Sequence, residues 1–308
     1  MLSGIRCWAF DVFCASEWSF PHNTPVPDDY QLVTLANGER TLFSAGYGEK
    51  MHPGLGPRAE ADLLYVRQLH IGERLAKTFG EFVIWDIGLG AAANATAVLH
   101  ATTRIPGRLR LVSFDNTAEP LEFTLKNSAV LGFVSGYEDQ LSELLLAKKT
   151  AFSIGSLHVD WQFQLGDFPT WMSLGRGAVP PPHAVFYDAF SPAKNPAMWT
   201  LSVFQNLYRA LDPQRPCALT TYSRSTVLRT TLLLAGFFVG VGHATGMKEE
   251  TTIAANTRDL ISEPLDHRWL ARAQRSHSAE PLRQPVYSRA PLTSASISGL
   301  LTHPQFQK

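Results

Sequence analysis

Residues 82–94 of this chain read FVIWDIGLGAAAN, and this stretch decides the fold. Its first six residues are apolar apart from Asp86, which predicts a short buried strand. Gly88 and Gly90 follow directly, and the alanine-rich segment Ala91–Thr102 predicts a helix. A strand that passes through a glycine turn into a helix is typical of a doubly wound α/β sheet, with a binding turn at the carboxyl end of the strand.

Strands and helices alternate from this stretch onward. The predicted strands are 82–87, 111–114, 157–165, 184–187, 218–222, 237–241 and 251–255, and the predicted helices are 91–102, 120–131, 138–148, 198–211 and 227–235. Repeated strand–helix units imply a mostly parallel sheet. The last two strands follow the last of these helices without another helix between them, which predicts a closing antiparallel pair.

The patterns divide the chain into four segments. These are an irregular extension over 1–29, a hairpin and helix over 30–80, the main α/β domain over 81–260, and a C-terminal helix and tail over 261–308. The hairpin is predicted by the Asn37-Gly38 dipeptide between two apolar segments. Apolar residues at helical spacing predict a helix over 58–78. From Ser276 the chain is polar and poorly periodic, which predicts a tail.

Composition narrows the class of protein. The 308 residues are 45% hydrophobic and 18% charged, which is enough apolar material for a sizeable core. Lys plus Arg and Asp plus Glu are both 27, and this neutral balance argues against a strongly basic nucleic-acid surface. Cys7, Cys14 and Cys217 are scattered, so we expect neither a disulfide framework nor a metal site. No apolar run reaches the ~20 residues of a membrane span, and we expect a cytoplasmic protein.

The glycine turn suggests the kind of ligand. Glycines let the backbone approach a ligand closely, and the helix that follows offers free N–H groups. Ala92 occupies the place of a third glycine, and the absence of a Gly-Lys-Ser/Thr sequence excludes a phosphate-binding P-loop. An acid before the glycines suits the ammonium of an amino acid better than a pyrophosphate. Asp86 therefore favours S-adenosylmethionine over NAD, and the alternative is a turn that binds nothing.

Two further acids end the next two predicted strands. Asp115 follows the second strand, where a carboxylate can accept the ribose hydroxyls of a nucleoside, and the alternative is a helix cap or a surface acid. Gly166 and Asp167 follow the third strand. There we expect the backbone to face the adenine and Asp167 to accept from its amine. The alternative for Asp167 is a turn residue.

Asp188 begins the most distinctive loop of the chain. A buried strand, 184–187, delivers this carboxylate into a loop with two prolines that ends at Trp199. Methyl transfer from a sulfonium is an in-line displacement, in which the enzyme orients the nucleophile and, for an amine, removes a proton. We therefore predict that Asp188 is catalytic. The alternative is a structural carboxylate that holds the loop by hydrogen bonds.

These elements, in this order, resemble the methyltransferase half of the bacterial MnmC-type tRNA-modifying enzymes, over about residues 30–255. The residues that carry the resemblance are the Gly88-x-Gly90…Asn94 turn, the Asp188–Trp199 loop, Thr220-Thr221-Tyr222-Ser223 with Val227 and Arg229, Ala235-Gly236-Phe237 before Gly240…Gly242, and Phe43-Ser44…Gly54-Leu55…Glu60…Tyr65. The family completes 5-methylaminomethyl-2-thiouridine at the wobble position of tRNA. The resemblance implies a class I methyltransferase fold with S-adenosyl-L-methionine as cofactor.

The motifs and the resemblance together assign the site. The expected cofactor contacts are Asp86, Gly88, Gly90, Asn94, Asp115, Gly166, Asp167, Asp188 and Ala189. The expected substrate contacts are His52, Glu60, Phe190, Lys194 and Asn195. The family pattern is broken at Ala92, at Asp115 where Glu is usual, and at Met247–Glu250 where a Lys-Arg pair is common.

Three functions remain open at this stage. The first is N-methylation of an aminomethyl uridine in tRNA, with Arg258, Arg268, Arg272 and Arg275 as a local basic strip or a merely solvated face. The FAD-dependent oxidase half of the family is not found in this sequence, so a separate oxidase acting upstream is a candidate partner. The second is methylation of a small amine or another metabolite. The third is a non-catalytic protein that binds the cofactor or tRNA without turnover.

Overall fold

The computed structural model describes residues 30–175, 177, 179–245 and 249–307. The predicted extension over 1–29 lies outside these residues. The strands are β1 Tyr30–Thr34, β2 Arg40–Ser44, β3 Glu49–Lys50, β4 Glu81–Ile87, β5 Gly107–Asp115, β6 Lys149–Ile154, β7 Leu157–Leu165, β8 Ala184–Tyr187, β9 Ala218–Thr221, β10 Phe238–Gly242 and β11 Thr251–Ala255.

The helices alternate with the strands of the larger sheet. They are α1 Pro57–Ala61, α2 Ile71–Lys77, α3 Ala93–Thr102, α4 Glu119–Lys126, α5 Ser128–Leu131, α6 Glu138–Ala147, α7 Phe168–Leu174, α8 Leu201–Ala210, α9 Thr226–Ala235, α10 His267–Gln274 and α11 Ser294–Leu301. A π-helical segment, Asp62–Arg67, lies between α1 and α2, and short 3₁₀ turns occur at Pro196–Trp199, Arg258–Leu260 and Pro304–Phe306.

The larger sheet has eight strands in the order β10-β11-β9-β8-β4-β5-β7-β6. The five strands from β9 to β7 pair in parallel. At one edge β11 pairs antiparallel with both β9 and β10, and at the other edge β6 pairs antiparallel with β7. The predicted doubly wound sheet and its closing antiparallel pair are confirmed. The chain leaves β4 first toward β5 and later toward β8, so the strand order reverses at β4. In such sheets the ligand site lies beside this reversal, at the carboxyl ends of the strands.

Strand β4 explains why the sheet has two apolar faces. Successive side chains of a strand point to opposite faces, and a strand covered on both sides reads as a continuous apolar run. Phe82 and Ile84 pack in one core layer, whereas Trp85 and Ile87 pack in the other. Asp86 has the parity of Ile84, so it faces the layer that contains α3.

A three-stranded antiparallel sheet, β1-β2-β3, precedes the main domain. Tyr30 pairs with Ser44 in the hairpin, and Gly38 adopts a φ of 87° at its turn. The Asn37-Gly38 hairpin prediction is confirmed. This sheet supplies the residues that stand over the carboxyl edge of the larger sheet.

Several elements differ from the sequence-based expectation. Strand β6 and helix α7 were not predicted, and the helix expected over 58–78 is divided between α1, the π-helical segment and α2. The tail expected from Ser276 instead contains α11 and buries Leu282, Leu300 and Phe306 against the sheet layer. These apolar residues are too widely spaced to produce a helical period, although each fills a position in the core.

Candidate active site

A cavity of about 430 Å³ lies where the carboxyl ends of β4, β5, β7 and β8 face the N-terminal sheet. Eleven of the predicted site residues line it: His52, Glu60, Gly88, Gly90, Asp115, Gly166, Asp167, Asp188, Ala189, Phe190 and Asn195. Asp86, Asn94 and Lys194 do not. The fold therefore brings most of the predicted donor-side and acceptor-side residues to one place.

The turn after β4 lies in close contact with the backbone directly after β8. Gly88 has a φ of 95°, and a Cβ at this position would lie 2.6 Å from the carbonyl oxygen of Asp188. The N–H groups of Gly88 and Leu89 donate to the Phe114 carbonyl at 2.9 and 3.0 Å. Ala92 adopts the left-handed conformation with a φ of 63°. Ala92 thus has the left-handed backbone conformation that a glycine adopts easily, although it carries a side chain.

Asp115 links the glycine turn to the end of β5. Its Oδ2 accepts from the Gly90 N–H at 2.8 Å, and its Oδ1 accepts from the Thr117 N–H at 3.4 Å. Burial raises the pKa of Asp115 to about 6, against the lowering effect of these backbone donors. Its binding of ribose hydroxyls stays a prediction.

Asp167 caps the helix that follows β7. Its Oδ2 accepts from the Thr170 N–H at 2.9 Å at the start of α7, and the Gly166 N–H donates to the Asp115 carbonyl at 2.8 Å. The cap uses one of the two carboxylate oxygens. Asp167 therefore has a structural role at the start of α7, as the alternative interpretation expects for one of its oxygens. Its contact with adenine stays a prediction.

Asp188 stands directly after β8, where its N–H donates to the Ile87 carbonyl at 2.8 Å. Its Oδ2 accepts from Nδ2 of Asn94 at 2.8 Å and lies 3.8 Å from Nε2 of His52. The other ring nitrogen of His52 lies 3.9 Å from Oε2 of Glu60. Burial raises the pKa of Glu60, although His52 lowers it in part. His52 thus lies between two carboxylates of the cavity wall.

The loop after Asp188 is held from the N-terminal sheet. The Ser191 N–H donates to Oε2 of Glu49 at 3.2 Å, and the Ser191 hydroxyl donates to Oε1 of the same carboxylate. Phe190 stacks on Tyr47 with ring centroids 4.0 Å apart. Glu49 and Tyr47 were not predicted, and the only available signal was that both lie within the stretch from Phe43 to Tyr65 that carries part of the family resemblance.

The Asp188–Trp199 loop is also held from within the main domain. The Tyr222 hydroxyl, directly after β9, donates to the Ala189 carbonyl at 3.1 Å. Nε1 of Trp199 donates to the Phe190 carbonyl at 2.7 Å. Burial raises the pKa of Tyr222 well above its usual value, with Asp188 and Glu49 adding to the effect. Tyr222 lies in a quoted sequence motif, but its role as a wall of this cavity was not predicted.

Three predicted site residues lie outside the cavity wall. Asp86 is fully buried and accepts from the Ser113 hydroxyl at 2.9 Å. Burial raises the pKa of Asp86 to about 8. Asn94 is buried on α3, and Lys194 is exposed on the far part of the loop. None of these three residues lines the cavity, and their contact with a ligand stays a prediction.

The charge of the cavity matches a cationic ligand. Its described walls contain five carboxylates, Glu49, Glu60, Asp115, Asp167 and Asp188, against one lysine, Lys50. S-adenosyl-L-methionine carries two positive groups, a sulfonium and an ammonium, against one carboxylate, and the cavity volume is that of a typical small-molecule site. The Gly88–Gly90 turn, Asp115 and Asp167 fit this cofactor, which would supply the methyl group when bound.

Neither a metal-binding cluster nor a membrane-spanning helix is found in the part of the chain that is described. No group of three or more His, Cys, Asp or Glu side chains there is arranged to hold a metal ion. Over the same residues, the helices are too short or too polar to cross a membrane.

Comparison with known proteins agrees with this geometry. A family model described as S-adenosyl-L-methionine-dependent methyltransferase matches residues 176–257. The "tRNA 5-methylaminomethyl-2-thiouridine biosynthesis bifunctional protein MnmC" of Methylibium petroleiphilum is 30% identical over 244 residues, 76% of this chain and 36% of that protein. The protein of the same name from Chromohalobacter salexigens is 25% identical, covering 84% of this chain and 37% of its own. The chain therefore spans about a third of the length of these relatives.

A solved structure shares the fold. MnmC2 from Aquifex aeolicus superimposes with a TM-score of 0.65 at 23% sequence identity, over 90% of this chain and 85% of that one. Sheet order, cavity and family match together define the chain as an S-adenosyl-L-methionine-dependent methyltransferase of the class I fold. Within that class, it is similar to the methyltransferase half of the MnmC-type enzymes.

Proposed function

We propose that the chain is an N-methyltransferase whose acceptor is the aminomethyl group of a wobble uridine in tRNA. The observation that carries the proposal is the position of Asp188. Asp188 borders the cavity, and its backbone carbonyl lies beside the Gly88 turn, to which we assign the methyl donor. An amine held by this carboxylate would lie next to the methyl group of a cofactor seated on the turn.

The chemistry of the walls favours an amine over a hydroxyl or carbon acceptor. An aminomethyl group is protonated near neutral pH, and five carboxylates against one lysine stabilise its ammonium form in the cavity. Before it can attack, the amine must lose a proton. Asp188 is placed to accept that proton, and the acceptance of a proton by a positioned group contributes about 10²- to 10⁴-fold to a rate.

The acceptor side also offers a planar surface. Phe190 borders the cavity and rests against Tyr47, so its ring is supported in one orientation. Aromatic side chains of this kind stack with unpaired bases of RNA. A uridine turned out of its loop would fit this role, and the names of the similar relatives refer to the biosynthesis of tRNA 5-methylaminomethyl-2-thiouridine.

A second candidate acceptor is a small free amine. The formal net charge of the chain is zero, whereas proteins that bind tRNA rely on contacts between basic side chains and phosphates. The acid-rich cavity would hold any small cation of suitable size. Both candidates share the same reaction and differ in what surrounds the amine.

The test uses the full chain and methyl-labelled S-adenosyl-L-methionine. One arm contains tRNA from cells that leave the aminomethyl uridine unmethylated, and a second contains a panel of small primary amines. Label in the tRNA supports the first candidate, and label only in a small amine supports the second. No label in either arm, with clear cofactor binding by calorimetry, contradicts the N-methyltransferase proposal.

The role of Asp188 is tested by Asp188→Asn. This isosteric variant should bind the cofactor within threefold of the wild type and lose at least about 10²-fold in turnover, because its amide cannot accept the proton. The matched control is Asp139→Asn, an exposed change on α6 that should leave both quantities unchanged. Full turnover by Asp188→Asn would show that Asp188 does not accept the proton of the amine.

A further inference from the structure

His52 and Asp188 face each other across a small gap in the wall of the cavity. Both residues line the cavity, and Nε2 of His52 lies 3.8 Å from Oδ2 of Asp188. This separation is longer than a hydrogen bond, so the two atoms do not satisfy each other. The side chains are 12% and 19% exposed, which leaves both within reach of a ligand.

The backbone holds His52 in an uncommon conformation. Its φ is 50°, in the left-handed region that residues other than glycine rarely adopt. The segment after it is fixed by Glu60, whose Oε1 accepts from the N–H groups of Gly54 and Leu55. Backbone strain of this kind persists where surrounding contacts impose it, and it clusters at functional sites. The placement of the His52 ring is therefore an enforced feature of the cavity wall.

The two ring nitrogens of His52 have different neighbours. Nδ1 lies 3.9 Å from Oε2 of Glu60, whereas Nε2 faces Oδ2 of Asp188. That oxygen of Asp188 already accepts from Nδ2 of Asn94 at 2.8 Å, while the backbone donors of Glu60 go to its Oε1 and leave Oε2 for the ring. A neutral imidazole has one hydrogen, and its other nitrogen is an acceptor. We therefore assign the hydrogen to Nδ1, which makes Nε2 an acceptor beside Asp188.

We propose that His52 and Asp188 together hold the methyl acceptor as a primary amine, and that His52 limits the reaction to one methyl group. His52 is then a specificity-determining residue, and this role rests on the proposed function. A nitrogen about 2.9 Å from both Nε2 and Oδ2 would see these two atoms about 80° apart, near the angle between two N–H bonds. One amine nitrogen can therefore donate to both.

The transfer uses both acceptors once the amine has lost its proton. Asp188 takes one proton from the ammonium R–NH₃⁺, which leaves R–NH₂ with two hydrogens and a lone pair. Rotation about the C–N bond brings one hydrogen to Asp188, whose acid form keeps an acceptor oxygen, and the other to Nε2 of His52. The lone pair then forms the N–C bond, while the electron pair of the broken S–C bond stays on sulfur. The product is R–NH₂⁺–CH₃, and the proton on Asp188 passes to solvent.

The methylated amine cannot be held in the same way. In its neutral form R–NH–CH₃ has one hydrogen, so it donates either to Asp188 or to His52 while its lone pair stays free. Its methyl group would lie against the other acceptor and leave that atom without a hydrogen. A site built to bind an N–H rejects an analogue that lacks it. We expect kcat/KM for the methylated amine to be at least about 10²-fold below that for the primary amine.

The experiment compares kcat/KM for tRNA that carries 5-aminomethyl uridine with kcat/KM for the same tRNA carrying 5-methylaminomethyl uridine. If label enters only a small amine, that amine and its N-methyl derivative replace the tRNAs. His52→Gln keeps an acceptor oxygen near the position of Nε2 and should retain the preference for the primary amine within about threefold. His52→Leu removes the acceptor, and it should lower this preference at least about tenfold and yield dimethylated product. A merely structural role would lower both kcat/KM values equally.

His70→Leu is the matched control. His70 has the same φ of 50° but lies exposed before α2, outside the cavity wall, so its replacement should leave the preference unchanged. A wild-type preference in His52→Leu overturns the proposal, as does a wild type that methylates both amines equally. Should the leucine variant not fold, His52→Asn replaces it with the same expectation and the same refutation. Asparagine tolerates the left-handed backbone, and its amide is too short to reach the position of Nε2.

Binding without turnover separates this role from the proposed function. In their ammonium forms, 5-aminomethyluridine and its N-methyl and N,N-dimethyl derivatives have three, two and one N–H bonds. With two acceptors in the wild type, the calorimetric Kd should be similar for the first two and at least about fivefold weaker for the third. His52→Leu, with one acceptor, should lose this step. No label in any amine together with the step would refute only the methyltransferase proposal, whereas a wild type without the step refutes the role of His52.

Discussion

Replacement of Asp86 by asparagine should stabilise the folded protein by an amount that grows with pH. Burial raises the pKa of Asp86 from 3.8 to about 8. Between these values the folded state keeps a proton that the unfolded chain has released. The contribution of Asp86 to the wild-type free energy of unfolding therefore falls by about 1.4 kcal/mol per pH unit in this window. Asparagine carries no such proton. Between pH 5.5 and 7.5 the advantage of the variant should grow by about 3 kcal/mol.

This change is large against a total stability of about 5–15 kcal/mol. Urea unfolding of both proteins at the two pH values, followed by tryptophan fluorescence, measures it directly. Asp115, whose pKa burial raises to about 6, contributes equally to both proteins and cancels in the difference. Asp139→Asn is the control, because this exposed change should alter stability equally at both pH values. Parallel behaviour of wild type and Asp86→Asn would mean that Asp86 is ionised in the folded protein, and the reasoning would fail.

Three further changes test the walls of the cavity and its surroundings. Gly88→Ala should destabilise the fold by about 1–3 kcal/mol more than Gly80→Ala in urea unfolding, because both glycines have a φ near 90° but only Gly88 meets a carbonyl oxygen at 2.6 Å; equal losses would exclude that contact. Glu49→Gln should raise the acceptor KM about 5- to 30-fold at unchanged cofactor Kd, since it weakens about 1–2 kcal/mol of charged hydrogen bonding to the loop. An unchanged KM would show that the hydrogen bonds between Glu49 and the loop do not affect acceptor binding. Reversal of charge at the exposed Arg268 and Arg272 should raise the tRNA KM at least threefold and leave small-amine kinetics unaltered; equal tRNA kinetics would exclude this strip from the binding surface.

The central architecture was predictable because its signals are local. The run around Trp85 is apolar on both faces, the glycines follow at once, and Asp188 ends another such run. Strand parity and the carboxyl edge of a parallel sheet then bring Gly88 and Asp188 together. The hairpin at Asn37-Gly38 was equally local.

The remaining parts of the site depend on contacts between distant residues. Glu49 reaches Ser191 across 142 positions, and no sequence pattern links the two. Asp86 illustrates a second limit. A carboxylate near the end of a strand can face the cavity or the core, and only the packing of α3 against β4 decides that it meets Asn94. The buried residues between Ala279 and Phe306 escaped prediction because they fill single gaps without a period.

The hydrogen bonds between Glu49 and Ser191 have a consequence for the order in which parts of the protein fold. Contacts between residues so far apart in the chain form slowly, because a long loop must close before they stabilise anything. The strands and helix that flank the glycine turn, β4, β5 and α3, by contrast lie close together in the chain. We expect a folding chain to complete the donor half before the acceptor half is anchored. A partly folded molecule would then bind the methyl donor without transferring its methyl group. The packing of the N-terminal sheet against the loop would be the folding step that makes the enzyme active.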